Sequence, residues 1–380
     1  MAVLNAVVIG SGGRARAHLA VIPKLSDRYR LVGVCDIDEE RARTVGAEMG
    51  ARAYTDLEAM LDKEKPDVGL IAVQPEIHHA VAGVLAERKV HMLTETPIAL
   101  TVPCADAMIR ATAENGVFLE VSENVRRWPH ERLKRKIVER GLIGEVRTFY
   151  LSYTSGAYHG VSAVRAILGT EARGVTGAFP DGEAIRERGR IEWSGGIRGT
   201  YEYNTERKNY WEIIGTGGAI RGRELHLYEG DGKLDLVTET IGEAPRKTVR
   251  RACVGTEPEV SWESHLQAYA LPEADGVAIA DAWCSLYDTV VHGKALDYGG
   301  ENGRRDIELL MGVRESALKH GEKIALPLAG MTEYETRVHS AFEKVYGTDI
   351  LDLKPRHLKQ KYSLPDHLRD LVLYGRMLGK

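Results

Sequence analysis

The sequence predicts an α/β fold in two parts, a doubly wound parallel sheet followed by an α+β domain whose open sheet is mostly antiparallel. Three observations lead to this prediction. Up to about residue 120, short apolar runs alternate with segments of helical periodicity, which is typical of βαβ units. After Pro129, strands broken by glycines replace that alternation. The 380 residues suffice for two to three domains of roughly 150 residues each.

The first part is assigned from continuous apolar runs, which indicate strands buried on both faces of a sheet. Segments between these runs repeat apolar residues with the period of a helix. The ligand crevice of such a sheet lies at the carboxyl ends of its strands. The predicted strands are 6–9, 31–35, 68–73, 91–93 and 117–121, and the predicted helices include 75–88 and Val102–Asn115.

The second part is assigned from alternating patterns separated by glycines. Predicted helices cover 131–140, 161–168 and 303–320, and predicted strands cover 144–153, 174–179, 190–193, 199–203, 210–216, 218–223 and 323–325. We expect the long helix and the last strand to return toward the first domain. The predicted domains are residues 1–125, 126–330 and a helical C-terminal extension over 331–380.

Composition excludes several classes of protein. Lys and Arg number 51 and Asp and Glu 55, a net charge of −4 that gives no basic excess for nucleic-acid binding. No run approaches the ~18 apolar residues of a membrane span, and the N-terminus lacks the basic region of a signal peptide. Cys35, Cys104, Cys253 and Cys284 are too scattered for a zinc site or a disulfide framework. We therefore expect a cytoplasmic protein without a metal site.

A glycine-rich turn follows the first strand, with Gly10, Gly12, Gly13, Arg14 and Ala15 in a Gly-x-Gly-x-x-Gly/Ala pattern. Gly10 permits the tight turn, Gly12 allows the backbone to approach a pyrophosphate, and Ala15 allows close packing of the helix on the strand. The alternative is a Rossmann-like domain that binds no nucleotide.

Asp36 stands at the end of the second strand, where an acid accepts hydrogen bonds from the adenosine ribose. Its charge would repel a 2′-phosphate, so NAD is the predicted cofactor and NADP the less favoured one. Arg14 and Arg41 keep the choice of dinucleotide open.

Polar side chains follow three later strands, at the edge where a nicotinamide would lie. The alternative interpretation of Pro97 is a residue that only terminates the strand. The alternative interpretation of His79 is a histidine on the face of a helix. The residues assigned to this edge are Gln74, Pro75, His79, Glu95, Thr96, Pro97 and Asn124.

These motifs resemble the Gfo/Idh/MocA family of nicotinamide-dependent oxidoreductases over residues 3–328. The residues that carry the resemblance are the glycine-rich turn, Pro75 with His79, Glu95 with Pro97, His159, and Gly215-Thr216-Gly217-Gly218. The resemblance implies oxidation of a secondary alcohol of a sugar, polyol or sugar acid. It also implies a homodimer or homotetramer formed through the C-terminal sheet.

The chain departs from the family pattern at three positions. Thr96 stands in place of the lysine of Glu-Lys-Pro, and Ser155 and Ser162 stand in place of two aspartates around His159. His159 remains the predicted proton acceptor, because imidazole titrates near neutrality, with Tyr158 as a possible donor beside it. A packing role is the alternative for His159.

Three arginines, Arg126, Arg127 and Arg165, are predicted to bind a substrate carboxylate or phosphate. The predicted function is therefore NAD-dependent oxidation of a sugar-type alcohol, and the departures also permit isomerisation of the oxidised sugar before its release. Two alternatives remain: a glycosidase that retains its NAD and oxidises the sugar transiently, and a non-catalytic NAD or metabolite sensor.

Overall fold

The computed structural model describes residues 2–154, 156–180, 184–207, 209–230 and 232–362. Contacts between residues divide this chain into two units. The first unit comprises residues 2–123, Ala278–Arg304 and 339–362, and the second comprises the described residues of Asn124–Val277 and Arg305–Val338. The contiguous domains expected from the sequence stay a prediction, but the observed division differs from them. The chain returns twice to the first unit, and part of the expected C-terminal extension is built into it.

The first unit contains a six-stranded, wholly parallel sheet. Its strand order, β3-β2-β1-β4-β5-β6, is that of a Rossmann fold, so this part of the predicted fold class is confirmed. The elements in chain order are β1 (Leu4–Ile9), α1 (Gly13–Leu19), β2 (Tyr29–Cys35), α2 (Glu39–Met49), β3 (Arg52–Tyr54), α3 (Leu57–Glu64), β4 (Val68–Ile71), α4 (His78–Glu87), β5 (His91–Thr94), α5 (Val102–Asn115) and β6 (Leu119–Val121).

The residues of β1, β4 and β5 explain the continuous apolar runs, because both faces of the sheet are covered. Val7, Val8 and Leu70 are fully buried, as is Leu93. Strand β3 was not expected from the sequence, because it is only three residues long and its residues are largely exposed. The helix expected over 75–88 begins with a 3-10 turn at Pro75–Ile77 before α4.

The second unit contains a nine-stranded sheet and a separate three-stranded sheet. Among the described strands of the larger sheet, only β7 and β10 pair in parallel, so the predicted mostly antiparallel sheet is confirmed. The elements are α6 (Pro129–Glu139), β7 (Val146–Ser152), α7 (Ala157–Leu168), β8 (Ala172–Ala178), β9 (Ile185–Trp193), β10 (Arg198–Asn204), β11 (Tyr210–Gly215), β12 (Gly218–Arg221), β13 (Glu224–Leu227), β14 (Lys233–Asp235), β15 (Val237–Ile241), β16 (Thr248–Val254) and β17 (Val260–Glu263).

After β17, the described residues up to 362 form three further α-helices and one further strand. These are α8 (Ala274–His292), α9 (Gly300–Leu318), β18 (Ile324–Ala325) and α10 (Glu333–Tyr346). The expectation that the strand at 323–325 returns to the first domain is wrong, because Ile324 pairs antiparallel with Val175 of β8 in the second unit. Helix α8 was not expected, and it carries the chain back to the first unit from Ala278. Residues 363–380 of the expected helical extension lie outside the described residues.

One face of the nine-stranded sheet is apolar and packed. Phe149 and Leu151 of β7, Tyr201 of β10 and Ile213 of β11 are buried there. Helices α6 and α7 contribute Leu133, Ile137 and Val164 to the same core, which holds the second unit together. The other face carries partly exposed residues such as Tyr150, Thr200 and Glu212. No helix in the described part of the chain is long and apolar enough to cross a membrane.

Candidate functional site

The glycine-rich turn lies where the sequence places it, between β1 and α1. Gly10 has a φ of 86°, and a Cβ there would collide with the backbone carbonyl of Ala72. Gly12 and Gly13 have open space on the side where a Cβ would stand, with nothing within 4 Å. The first glycine is therefore required by the turn itself, whereas the next two leave open space in front of α1.

Asp36 is tied to this turn. One carboxylate oxygen, Oδ2, accepts hydrogen bonds from the amide and the hydroxyl of Ser11, both at 2.8 Å. The same oxygen lies 3.3 Å from Nη1 of Arg41, and Oδ1 accepts from the amide of Asp38. Asp36 is only 7% exposed, so it holds the end of β2 against the glycine-rich turn. The pairing with Arg41 also offsets part of the charge expected to repel a 2′-phosphate.

Glu95 follows β5 and lies at the centre of a buried network. Its Oε1 accepts from Nε of Arg14 at 2.9 Å and from Nε2 of His18 at 2.7 Å, and its Oε2 accepts from the amide of Thr96 at 3.0 Å. Burial acts to raise the pKa of Glu95, but the hydrogen bond from His18 and the Arg14 charge lower it to about 2. The carboxylate thus stays ionised and connects Arg14 of the turn to Thr96.

His18 was missed by sequence reasoning. It lies in the last turn of α1, is fully buried, and accepts at Nδ1 a hydrogen bond of 3.0 Å from the indole nitrogen of Trp283. The position four residues after Arg14 on one helix face was the available local signal for His18. Trp283 gave no such signal, because it stands 265 residues later in the chain.

His79, predicted at the cofactor edge, has a different environment. Its Nε2 donates to the backbone carbonyl of Ile350 at 2.7 Å, and the ring is 6% exposed. Burial lowers the pKa of His79 to about 4, so the ring is neutral near neutral pH. The contact with Ile350 assigns His79 to the attachment of the C-terminal segment. Gln74 and Pro75 begin the 3-10 turn that precedes α4. The peptide bond between Thr96 and Pro97 is cis.

His159 lies in the first turn of α7 in the second unit and is partly exposed. Its ring centroid is 4.5 Å from that of Tyr158 and 6.0 Å from that of Tyr153. Gly156, with a φ of 66°, precedes the helix, and a Cβ there would lie 2.9 Å from the His159 ring. The glycine therefore allows the Tyr158 and His159 rings to pack over the helix start.

Two serines, Ser155 and Ser162, stand where the resembled family has aspartates. Ser162 is fully buried on α7, and its hydroxyl has no hydrogen-bond partner among the described residues. Ser155 lies outside the described residues. A carboxylate at position 162 would thus be buried, whereas the serine places only a small neutral group in that part of the second unit.

Arg165, predicted to bind a substrate carboxylate or phosphate, is paired with two carboxylates of the protein. Its Nε and Nη2 donate to both oxygens of Glu171 at 2.8 and 2.7 Å, and its Nη1 donates to Asp306 at 2.6 Å. The side chain is 6% exposed. Two carboxylates therefore occupy the guanidinium that would have bound an acidic substrate, which points to a structural ion pair. Arg126 and Arg127 are also buried, and Asn124 donates to Asp275.

A second buried polar cluster lies on α6. Lys134 donates to Glu131 at 2.5 Å, and Glu131 also accepts from the indole of Trp211 at 3.0 Å. Burial raises the pKa of Glu131 and lowers that of Lys134, in each case favouring the neutral form. Nothing in the local sequence distinguished this lysine from the charged residues of an ordinary surface helix. Across the described residues, no group of three or more His, Cys, Asp or Glu side chains is arranged to hold a metal ion.

Part of the chain is similar to named proteins. A D-apiose dehydrogenase from Paraburkholderia graminis is 35% identical over 138 residues, which is 36% of this chain and 36% of that protein. A 2,7-anhydro-N-acetylneuraminate hydratase from Mediterraneibacter gnavus is 27% identical over 146 residues, 38% of each chain. The chain thus matches little more than a third of the length of these relatives.

The structure is similar over a longer stretch to the WlbA dehydrogenase from Bordetella pertussis, solved with NADH and UDP-GlcNAcA. The TM-score is 0.66 at 19% identity, covering 86% of this chain and 100% of that one, which shows the same fold. Residues 4–123 match the Gfo/Idh/MocA family, described as an oxidoreductase family with an NAD-binding Rossmann fold. The predicted cofactor, NAD, is confirmed at the level of this family. The match to the Gfo/Idh/MocA family therefore covers residues 4–123 of this chain, the part that carries the six-stranded parallel sheet.

Proposed function

We propose that the protein is an NAD-dependent oxidoreductase that moves a hydride between nicotinamide and a secondary alcohol of a sugar, polyol or sugar acid. The observation that carries the proposal is the glycine-rich turn of a family-matched Rossmann domain, with open space at Gly12 and Gly13. The relative named as a D-apiose dehydrogenase supports a sugar-type substrate.

The residues of the first unit fit the dinucleotide. The backbone at Gly12 and Gly13 would face its pyrophosphate, and Asp36, already fixed by Ser11, would accept from the adenosine ribose. A dinucleotide bound by these residues would supply the nicotinamide as hydride acceptor. Glu95 would keep the strand end beside the cofactor in place through Thr96.

His159 is the proposed proton acceptor. Oxidation of an H–C–O–H group releases a hydride from carbon and a proton from oxygen, and a neutral imidazole can take that proton. Its position in the first turn of α7, partly exposed and held between Tyr153 and Tyr158, supports this role. Tyr158 is the proposed donor beside it, and Arg126 and Arg127 remain the proposed ligands of an acidic substrate.

The test is formation of NADH, followed by its absorbance, with a panel of pentoses, hexoses, polyols and sugar acids. We expect turnover with at least one of them, and we expect His159→Asn to lower kcat by ~10²–10⁴ with little change in NAD affinity. Asparagine retains a hydrogen bond but takes no proton. His226→Asn, on β13, is the matched control. Near-normal turnover of His159→Asn would exclude His159 as the base.

A second candidate function is elimination or hydration with transient oxidation by an NAD that is never released. The relative named as a hydratase and the absence of the family lysine at Thr96 favour it. Mass spectrometry of the denatured, purified protein separates the two candidates. Co-purified NAD(H), together with substrate conversion that produces no net NADH, would establish the second function.

We also infer a cytoplasmic protein. The four cysteines are free and buried, which is compatible with a reducing compartment. Burial raises the pKa of Cys35 and of Cys284 to about 12, so these thiols are poor nucleophiles. Fractionation of cells that express the tagged protein tests the location.

A further inference from the structure

Trp283 of α8 belongs to the first unit and contacts both elements that flank the proposed cofactor site. Its indole nitrogen donates to His18 of α1 at 3.0 Å, and its backbone carbonyl accepts from the Tyr29 hydroxyl of β2 at 2.8 Å. The Tyr29 and Trp283 rings pack edge to face, with centroids 4.8 Å apart. Trp283 and His18 are fully buried, so their geometry is set by the protein and not by solvent.

The chemistry of the indole decides where the ring proton of His18 resides. An indole N–H is only a donor, so Nδ1 of His18 has to offer a lone pair to Trp283. A neutral imidazole carries one proton, which must then be on Nε2, the atom 2.7 Å from Glu95. The other tautomer would direct a lone pair at an ionised carboxylate and a second N–H at the indole.

Glu95 depends on this arrangement. Its Oε1 is shared between His18 and Arg14, and its Oε2 accepts the amide of Thr96. A fixed donor at His18 therefore fixes the carboxylate, and the carboxylate orients the guanidinium of Arg14 in the glycine-rich turn.

We propose that Trp283 is a positioning residue for the cofactor-binding turn, acting by holding His18 as the Nε2–H tautomer that orients Glu95 and Arg14. This inference rests on the proposed function in one respect, that the turn binds NAD. Trp283 touches neither cofactor nor substrate in this role. Its effect passes through two hydrogen bonds.

The first measurement is made on the protein without cofactor. In protein labelled with ¹⁵N-histidine, ¹⁵N NMR distinguishes a protonated from an unprotonated ring nitrogen. We expect His18 to show Nε2–H and an unprotonated Nδ1 in the wild type, and to lose this single tautomer in Trp283→Phe. An Nδ1–H or doubly protonated His18 in the wild type, or an unchanged tautomer in the variant, would overturn the proposal.

The second measurement is NAD affinity by calorimetry. Trp283→Phe removes one buried hydrogen bond and keeps an aromatic ring, so we expect the Kd for NAD to rise about five- to tenfold. Trp193→Phe is the matched control, because the buried indole nitrogen of Trp193 has no hydrogen-bond partner among the described residues. The control should leave the Kd within about twofold and the His18 signals unchanged.

Two further outcomes distinguish a failure of this inference from misfolding of the variant and from a failure of the proposed function. If Trp283→Phe fails to fold, His18→Leu takes its place and must raise the Kd at least as much, since it removes the bond to Glu95 itself. Unchanged NAD affinity in a folded variant would overturn the role of Trp283. Wild-type protein with the expected tautomer but no affinity for NAD would instead overturn the proposed function.

Discussion

Two glycines of the cofactor-binding turn are needed for different physical reasons, and substitution separates them. Gly10 has a left-handed backbone and lies against the Ala72 carbonyl, so a side chain there strains the fold. Gly12 has a φ of −72°, which any residue adopts, and open space beside it. We expect Gly12→Val to fold normally and to lose NAD binding, because the valine fills the space in front of α1.

Calorimetry and circular dichroism check this prediction together. Gly10→Val is the comparison: it should lose thermal stability, whereas Gly12→Val should keep its thermal transition. If the folded Gly12→Val protein bound NAD with wild-type affinity, the predicted position of the pyrophosphate at this turn would be excluded.

We expect Asp36 to set the preference between NAD and NADP. A carboxylate at this position accepts from a ribose 2′-hydroxyl and repels a 2′-phosphate, so we expect NAD to bind at least about tenfold better than NADP, or ~1.4 kcal/mol. Asp36→Ala should narrow that difference. It should also weaken NAD itself, because Ser11 loses its two hydrogen bonds.

Titration calorimetry with both dinucleotides is the measurement. Arg41→Ala serves as the counterpart, because Arg41 lies 3.3 Å from Asp36 and is the cation placed to attract a 2′-phosphate. It should widen the preference for NAD. Equal binding of NAD and NADP by the unmodified protein would contradict the assignment of Asp36.

At the scale of an element, helix α7 is held by the ion pairs of Arg165. Asp306 and Glu171 share its guanidinium, and the Asp306 side chain is 3% exposed. Arg165→Ala leaves Asp306 buried without that cation, so we expect a loss of about 3 kcal/mol in the free energy of unfolding. Denaturant unfolding measures it. Arg305→Ala, whose side chain is 50% exposed beside Glu171, should cost less than about 1 kcal/mol.

The alternative role of Arg165 has a distinct outcome. If the guanidinium of Arg165 binds substrate, Arg165→Ala should raise the KM and leave the free energy of unfolding unchanged. That result would restore the role predicted from the sequence.

The C-terminal segment is attached to α4 through a histidine whose protonation opposes folding. Burial, assisted by His78 and His339, lowers the pKa of His79 from 6.5 to about 4 against the opposing effects of Ile350 and Asp349. The unfolded chain therefore binds more protons between these values, and stability falls as pH falls through that window. The change amounts to about 3 kcal/mol, and burial lowers the pKa of His78 and His339 in the same direction.

Hydrogen exchange of the α4 and α10 amides, at about pH 7.5 and about pH 5, reports this local stability. After correction of each rate for the intrinsic pH dependence of amide exchange, we expect lower protection of these amides at the lower pH in the wild type. His79→Gln keeps an N–H donor but does not titrate, so the protection of its amides should depend less on pH. An identical pH dependence in both proteins would show that His79 makes no contribution.

At the scale of the whole molecule, the testable property is the homodimer or homotetramer that the family resemblance implies. The face of the nine-stranded sheet opposite the core carries Tyr150 and Thr200, which lie side by side on β7 and β10. We expect light scattering to give a mass that is a two- or fourfold multiple of 42.0 kDa. Thr200→Arg adds a cation directly across from Arg190 and should dissociate the assembly. Thr238→Arg, exposed on β15, is the control.

The sequence predicts those parts of the molecule that depend on neighbours along the chain. The glycine-rich turn, Asp36 after β2 and the bounds of α5 are local patterns, and the structure has them where they were expected. The ion pairs of Arg165 could not be predicted, because its partners, Glu171 and Asp306, are brought to it by folding. Strand β3 was missed because exposed residues carry no hydrophobic pattern.

The contact of Trp283 with His18 could not be predicted either, because an isolated aromatic residue in a helix gives no indication of a distant partner. The segments that return to the first unit were missed for this reason. Contacts across hundreds of residues leave no periodic signal in one sequence.

The discontinuous first unit has a consequence for the order of events during synthesis. A ribosome delivers the chain from its N-terminus, so the glycine-rich turn, His18 and Glu95 emerge long before Trp283, 265 residues behind His18, or Ile350. Until then His18 lacks its donor and the apolar surface meant for α8 stays open to solvent. The buried network around His18 and Glu95 is therefore completed only after α8 has been synthesised.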